Sequence, residues 1–341
     1  MKISIIGAGN VGSLTAMRLA EESAAEVVLV DVVKGLALGK SLDLEDSRPL
    51  LKYDYNIKGS DDINQIKDSD IIVVTAGLAR KPGMSREDLL HKNADIVREI
   101  SQNIKRLAGR SIVIIVTNPV DILTYLALKE TGFNANRVLG MGPSLDAARF
   151  ANLISKELNI PNTNIDSCVI GSHGEGMLPL PRFTYIKGAA LEELADSKKI
   201  ELLIQRTVGR GAEIVSCLGS GSAFFAPSLA AAIIVKTILK DEKRTIGVSA
   251  YLNGEYGLTD VCIGVPARLG RQGIEKIIEL DLNQEERQAL HKSADSLKKQ
   301  IANRGRFYFS KQIGDGSIFS FLSALWKNRT VPKFLRWIIT I

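Results

Sequence analysis

The chain has 341 residues, enough for two domains or one large α/β domain, and its 45% hydrophobic and 24% charged content is typical of a soluble globular protein. The net charge of +6 comes from the end of the chain, because residues 1–303 hold 37 basic and 37 acidic side chains. The neutral body gives no indication of nucleic-acid binding. No apolar run reaches the ~18–20 residues of a membrane span and Met1 leads directly into a predicted strand, so a cytoplasmic location is expected.

The first 31 residues place a glycine-rich turn between a strand and a helix. Residues 2–6 predict a buried strand, and the turn that follows is Gly7-Ala8-Gly9-Asn10-Val11-Gly12. A second strand ends at Asp31, 19 positions after Gly12. The first glycine allows a tight turn, the second lets backbone N–H groups approach a pyrophosphate, and the third lets helix and strand pack closely. An acid at this distance suits a ribose 2′-OH, so the stretch predicts dinucleotide binding, with an ordinary βα turn as the alternative.

Strands and helices then alternate up to residue 141. Strands are predicted at 70–77, 112–116 and 137–141, and helices at 85–107, capped by Ser85, and at 120–130. This alternation indicates parallel βαβ units, and therefore an α/β doubly wound sheet over residues 1–143. Ligands bind at the carboxyl ends of the strands in such sheets.

From residue 144 the pattern is that of an α+β domain. Helices are predicted at 145–157, 198–218, 227–239 and 284–302, and strands at 165–170, 183–186, 246–252 and 261–265, the last two antiparallel. Gly305 is expected to end the last helix, which gives a second domain at 144–303 and a basic, aromatic tail at 304–341. The three cysteines lie far apart in apolar segments and predict small buried side chains, not a disulfide or a metal site.

The histidines point to one candidate general base. His91 and His291 lie on predicted charged helices and are most simply surface or interface residues. His173 follows an apolar strand and is flanked by glycines, a poor place for packing alone, although a neutral core histidine remains the alternative. Arginine is the side chain best suited to bind a carboxylate bidentately, and candidates stand at positions 80, 86 and 149. Each of them taken alone is more simply a surface residue.

Taken together, these stretches resemble the lactate and malate dehydrogenase family, in particular its lactate-dehydrogenase-like malate dehydrogenases. The matching stretches are 7–12 with Asp31, 75–86, 116–119, 145–150 and 173–175. The resemblance implies a Rossmann domain followed by an α+β substrate domain, with NAD as cofactor and no metal. It also implies a homodimer or homotetramer.

The resemblance assigns a role to each candidate side chain. His173 would accept the proton of the substrate hydroxyl, Asp146 would orient it, and Arg86 would polarise the reacting C–O bond. Arg149 would bind the C1 carboxylate, and Arg80 the second carboxylate of malate or oxaloacetate. The remaining assignments are Asn118 for substrate and cofactor, and Asn93 and Val116 for the cofactor site alone.

Arg80 also separates two alternatives within the family. Lactate enzymes of this family usually have Gln at that position, so Arg80 predicts a malate dehydrogenase and leaves a lactate or other 2-hydroxyacid dehydrogenase as the second choice. A non-catalytic NAD-binding relative would be expected to lose some of these side chains.

Two departures from the family predict altered local geometry. Glu175 stands where aspartate is frequent, and Pro143 removes a backbone donor near the site.

The tail holds both tryptophans and nearly all-basic charge. Three interpretations stay open: a loosely packed or disordered extension, a weak contact with an anionic membrane surface, or burial between subunits.

Overall fold

The computed structural model describes residues 1–22, 25–78, 86–219 and 221–314. The chain divides into two units, Met1–Leu297 and Lys298–Ile341. The sheet and the site described below lie in the first unit. The division at residue 143 stays a prediction.

The α-helices formed by the described residues are α1 (Asn10–Glu22), α2 (Leu36–Glu45), α3 (Arg48–Leu51), α4 (Arg86–Leu107), α5 (Val120–Thr131), α6 (Pro143–Leu158), α7 (Leu191–Leu194), α8 (Ser197–Leu218), α9 (Phe225–Leu239) and α10 (Gln284–Gly314). In this part of the chain, none of them combines the length and the apolar character that crossing a bilayer requires.

The strands are β1 (Lys2–Ile6), β2 (Glu26–Val30), β3 (Ile57–Ser60), β4 (Ile71–Val74), β5 (Ile112–Ile115), β6 (Val138–Gly140), β7 (Ile165–Asp166), β8 (Val169–Gly171), β9 (Met177–Pro179), β10 (Tyr185–Ile186), β11 (Ala189–Ala190), β12 (Arg244–Asn253), β13 (Thr259–Gly270) and β14 (Gly273–Ile277).

The first six strands form a parallel sheet in the order β3-β2-β1-β4-β5-β6. Every residue of β4 and β5 is buried, as expected for strands covered by helices on both faces. The predicted doubly wound Rossmann sheet is confirmed. The segments that follow β1, β4 and β5 therefore meet at one edge of the sheet.

The same sheet continues into the second half of the chain. β6 pairs antiparallel with β12, which forms a long hairpin with β13, and β8 and β9 follow at the edge. The predicted antiparallel pair is confirmed. The strand predicted over 165–170 is wrong, because β7 joins a small separate sheet with β10 and β11 while β8 stays in the large one.

Helix α6 is held by a hydrophobic cluster centred on Phe150, Leu153 and Ile154. Leu203 of α8 and Val169 of β8 belong to the same cluster. This packing fixes the position of α6 relative to the loop after β8. It therefore sets the distance between the side chains that these two elements carry.

Two further expectations need correction. The last helix was expected to end at Gly305, but α10 continues to Gly314. A glycine inside a helix costs only about 1 kcal/mol, and no proline follows it before residue 314. Cys217 is exposed, whereas Cys262 is buried and Cys168 partly so, and all three are free thiols.

Candidate active site

The glycine-rich turn has the backbone that its spacing predicts. Gly7 adopts a φ of +110°, and a Cβ there would lie 2.5 Å from the backbone nitrogen of Ala76. A Cβ on Gly12 would lie 1.8 Å from the Gly7 carbonyl oxygen. Both positions therefore exclude a side chain for reasons internal to the protein.

Gly9 behaves differently, because a Cβ there would meet no protein atom within 4 Å. Packing within the protein therefore does not require a glycine at this position. A ligand that approaches the backbone of the turn closely would require one. Helix α1 begins at the next residue, Asn10, so its first N–H groups have no partner within the helix. The turn thus has the open surface and the positive helix end that suit a diphosphate.

Asp31 is held beside this turn by two backbone donors. Its Oδ2 accepts from the Ala8 N–H at 2.6 Å, and its Oδ1 accepts from the Val33 N–H at 2.9 Å. The carboxylate is only partly buried. The structure therefore brings Asp31 and the glycine-rich turn together, as the spacing predicts.

The sequence did not single out Lys40 on α2 as part of this turn. Its Nζ donates to the Ala8 carbonyl oxygen at 2.7 Å, and Ser13 Oγ donates to the same oxygen at 3.0 Å. The backbone of Ala8 is thus held on both sides: its N–H donates to Asp31, and its carbonyl oxygen accepts from Lys40 and Ser13.

Asn93 braces the next two loops at the edge of the sheet. Its Oδ1 accepts from the Leu78 N–H at 2.7 Å. Its Nδ2 donates to the carbonyl oxygens of Asn118 at 2.8 Å and of Leu78 at 3.3 Å. Both N–H donors of this buried amide bind the protein, so its influence on a ligand is expected to run through the loops it holds. Val116, just after β5, is also buried.

His173 and Asp146 form the centre of the site. His173 Nδ1 lies 2.7 Å from Asp146 Oδ2, and the exposed fractions of the two side chains are 15% and 1%. With an ionised carboxylate, Nδ1 carries the proton and donates it. That tautomer leaves Nε2 as the nitrogen able to accept a proton.

Opposing effects act on the pKa of His173. Burial lowers it, but the negative charge and hydrogen bond of Asp146, with the charge of Asp121, outweigh burial and the repulsion of Arg149. The pKa therefore lies above the ordinary value of histidine. The site stabilises an imidazolium once a proton has been taken.

Arg149 lies one turn after Asp146 on α6. Its Nη1 lies 3.3 Å from Asp146 Oδ1, and its side chain is 12% exposed. Burial lowers the pKa of Arg149, Asp146 opposes this, and Arg210 adds to it. A Cβ on Gly211 of α8 would lie 3.6 Å from Nη1, an ordinary van der Waals contact, so the guanidinium lies against this helix. A largely buried guanidinium that shares Asp146 with the His173 ring is suited to bind a carboxylate.

The structure explains the two departures from the family. Pro143 is the first residue of α6, where a backbone N–H would have no helical partner, so no intrahelical bond is lost. The effect of Pro143 on the rate stays a prediction. Glu175 is exposed, which gives its extra methylene room.

Asp121 of α5 is a site residue that the sequence analysis missed. Its Oδ2 accepts from the backbone N–H of His173 at 2.8 Å, and its Oδ1 accepts from Ser249 Oγ at 2.6 Å. Burial raises its pKa to about 6, although both hydrogen bonds and the charge of His173 oppose the rise. The one available signal was an acid on a strongly apolar helix.

The two remaining arginines are not placed by the structure. Arg80 lies outside the described residues, as does Ser85. Arg86 is the first residue of α4, and its side chain is not described. Among the described residues no group of three or more His, Cys, Asp or Glu side chains could hold a metal ion.

Comparison with known proteins agrees with this geometry. Residues 1–140 match the NAD binding domain of lactate/malate dehydrogenase, and residues 143–308 match its alpha/beta C-terminal domain. The chain belongs to the lactate/malate dehydrogenase family.

Members of the lactate/malate dehydrogenase family resemble the chain over most of its length. The malate dehydrogenase of Methanosarcina acetivorans is 48% identical over 304 residues, which cover 89% of this chain and 99% of that protein. The structure of malate dehydrogenase from Salinibacter ruber superimposes with a TM-score of 0.87 at 40% identity, covering 91% and 100% of the two chains. Lactate dehydrogenase from Eimeria maxima, solved with NADH and oxamate, gives 0.88 at 34% identity, covering 91% and 96%.

Proposed function

We propose that the protein is an NAD-dependent malate dehydrogenase that catalyses the reversible conversion of malate to oxaloacetate. The observation that carries this proposal is the buried Asp146–His173 pair, with Arg149 one helical turn away. The 48% identity to a malate dehydrogenase over nearly the full length of that relative supports it.

NAD fits the first half of the site. The diphosphate would be held at the start of α1 by the glycine-rich turn, through Gly7, Gly9, Asn10, Val11 and Gly12. Asp31 would accept a hydrogen bond from a ribose hydroxyl. A carboxylate at that position repels a 2′-phosphate, which favours NAD over NADP. Val116 and the loops braced by Asn93 would border the nicotinamide end. When bound, NAD supplies the acceptor for the hydride leaving substrate C2.

The residues of the chain manage the proton and the carboxylates. His173 Nε2 takes the hydroxyl proton during malate oxidation, and Asp146 keeps the ring oriented and stabilises the imidazolium. Arg149 binds the C1 carboxylate, and Asn118 contacts substrate and cofactor. Arg86 stabilises charge on the reacting oxygen, worth a few kcal/mol in a site that excludes water. In the reverse direction the imidazolium returns its proton.

Arg80 is proposed to select the substrate by pairing with its second carboxylate. A substrate with a methyl group there, such as pyruvate, would leave the guanidinium without a carboxylate partner in a site that excludes water, at a cost of ~3–5 kcal/mol. The likeness to the Eimeria maxima lactate dehydrogenase supports lactate as the second candidate substrate. The fold of both classes is the same, so the substrate preference rests on this side chain.

We expect Arg80→Gln to reduce kcat/KM for oxaloacetate by ~10²-fold or more and to raise the relative use of pyruvate. Steady-state assays with NADH and each 2-oxoacid measure the ratio. Arg106→Gln, a change at an exposed arginine at the end of α4, serves as the matched control. Comparable kcat/KM for both substrates in the unmodified protein would contradict the malate assignment.

We also propose a homodimer or homotetramer. Large apolar side chains are exposed on three helices, at Leu38 and Leu42 of α2, Leu50 and Leu51 of α3, and Leu202, Val215 and Leu218 of α8. Leu38 and Leu42 are one helical turn apart and share a face. Association would remove this surface from water. A monomer mass in light scattering would contradict the proposal.

A cytoplasmic location is proposed as well. The free thiols of Cys168, Cys217 and Cys262 suit a reducing compartment. Recovery of the protein in an oxidising compartment on fractionation would contradict this location.

A further inference from the structure

The loop that carries His173 has a backbone hydrogen bond of its own, from the Met177 N–H to the Gly174 carbonyl oxygen at 3.2 Å, and is otherwise tied to other elements. It runs from Ser172 to Gly176 between β8 and β9, and φ is positive at Gly174 (+100°) and at Gly171 (+85°), the last residue of β8. Glycines in such conformations make a chain segment flexible unless it is held from outside. Three helices hold this one.

Two of these supports are already described. Asp146 of α6 binds the His173 ring, and Asp121 of α5 binds the His173 N–H. The third comes from α10, where Ser293 is 7% exposed. None of the three anchoring side chains belongs to the loop itself.

The hydroxyl of Ser293 binds both ends of the loop. Ser293 Oγ accepts from the Ser172 N–H at 3.0 Å and lies 2.9 Å from the Gly176 carbonyl oxygen, to which it donates. It also lies 3.0 Å from Ser172 Oγ. Because its one hydrogen goes to the Gly176 carbonyl, Ser293 Oγ accepts from the Ser172 N–H and can accept from the Ser172 hydroxyl, which uses its full capacity.

The shape of the loop is built around this hydroxyl. A Cβ on Gly176 would lie 2.2 Å from Ser172 Oγ and 2.9 Å from Ser293 Oγ. A Cβ on Gly171 would lie 2.5 Å from the Gly176 carbonyl oxygen. The two glycines therefore leave the space in which the serine pair closes the loop.

We propose that Ser293 is a positioning residue for the reaction, which keeps the His173 loop closed so that the imidazole stays on Asp146. This inference rests on the proposed role of His173 as proton acceptor. Ser293 acts through the backbone on either side of His173. This role requires no contact between Ser293 and the substrate.

The pKa of His173 offers a readout of position. The charged groups that act on His173 are Asp146 and Arg149 on α6 and Asp121 on α5. Ser293 is neutral and adds no charge to this set. A change in the pKa after substitution of Ser293 would therefore report a change in the distance between the ring and Asp146.

The test compares Ser293→Ala with Leu297→Ala, a control at a buried residue one turn further along α10. We expect Ser293→Ala to lower kcat roughly tenfold or more, because small displacements of a catalytic group are costly. The acid limb of kcat/KM for malate oxidation should move to lower pH, since the ring is held less firmly against Asp146. The affinity for NADH, measured by fluorescence titration, should stay within about twofold, because the cofactor residues lie on other elements.

Leu297→Ala should lower the melting temperature but leave the acid limb in place. Should Ser293→Ala fail to fold, Ser293→Cys, which fills the site but hydrogen-bonds weakly, is measured in the same way. An unmoved limb with unchanged kcat in either serine variant would overturn the proposal. Failure of the proposed function would look different, since the unmodified protein would then not oxidise malate.

Discussion

At the scale of single residues, Asp121 shows how strongly the fold alters ordinary chemistry. This carboxylate is 3% exposed, and burial raises its pKa from 3.8 to about 6. It nevertheless accepts two hydrogen bonds, one of them from the backbone of the proposed proton acceptor. Its charge therefore acts on His173 while its position holds the loop.

We expect Asp121→Asn to shift the acid limb of kcat/KM for malate oxidation to lower pH, by roughly half a unit. The negative charge of Asp121 favours the imidazolium, so its removal lowers the pKa of His173. An asparagine can still accept from the His173 N–H and donate to Ser249 Oγ. A pH–rate profile that does not move would refute the electrostatic role.

The same variant tests the linkage between Asp121 and stability. The pKa is higher in the folded protein than in the unfolded chain, so the native state binds the proton more tightly. Protonated Asp121 therefore stabilises the folded state by up to about 3 kcal/mol. This contribution to the free energy of unfolding is fully present below about pH 4 and is lost as pH rises through about 6. Urea unfolding of both proteins across this range should show this decrease only in the unmodified chain.

How far residues can be predicted from sequence depends on how local their signal is. The glycine-rich turn and Asp31 are fixed by spacing within one βαβ unit, so their role could be predicted. His173 and Asp146 lie 27 positions apart, and only the resemblance to a known family connected them. Ser293 and Ser172 are 121 positions apart, and nothing in the sequence links them.

At the scale of elements, α10 is longer than the sequence predicts. Ser293 lies on it, and the helix continues past Gly305 to Gly314. The charged pattern correctly predicted that this helix begins at Gln284. Its end could not be predicted, because a single glycine is a weak stop signal without a proline.

We predict that truncation after Asn303 leaves a soluble enzyme with nearly full activity, because every proposed site residue and Ser293 precede the cut. Activity, melting temperature and mass by light scattering are the measurements. Truncation after Gly314, which keeps all of α10, is the matched control. If only the shorter protein is insoluble or inactive, the end of α10 belongs to the fold and the boundary at residue 303 is wrong.

The tail itself is proposed to contact anionic membrane surfaces weakly, at ~1 kcal/mol per basic residue near the surface. Co-sedimentation of the full chain with phosphatidylserine vesicles should weaken in high salt and vanish on truncation. Equal binding by the truncated protein would contradict a role of the tail.

At the scale of the whole molecule, one sheet carries both halves of the site. The pairing of Gly140 in β6 with Ser249 in β12 joins the parallel strands to the antiparallel ones. Ser249 also binds Asp121, which holds the His173 backbone. Sequence periodicity could predict the fold class of each half. It could not predict that the two halves share one sheet, because pairing between strands over 100 positions apart leaves no local pattern.

We propose that this framework transfers a proton through His173 during hydride exchange between malate and NAD. The most direct test is oxaloacetate reduction with NADH by the unmodified protein and by His173→Asn, with NADH affinity measured in both by fluorescence. We predict turnover that falls as pH rises through the raised pKa of His173 and a loss of at least ~10²-fold in the variant, with unchanged NADH affinity. Retained turnover in the variant, or none in the unmodified protein, would contradict the account.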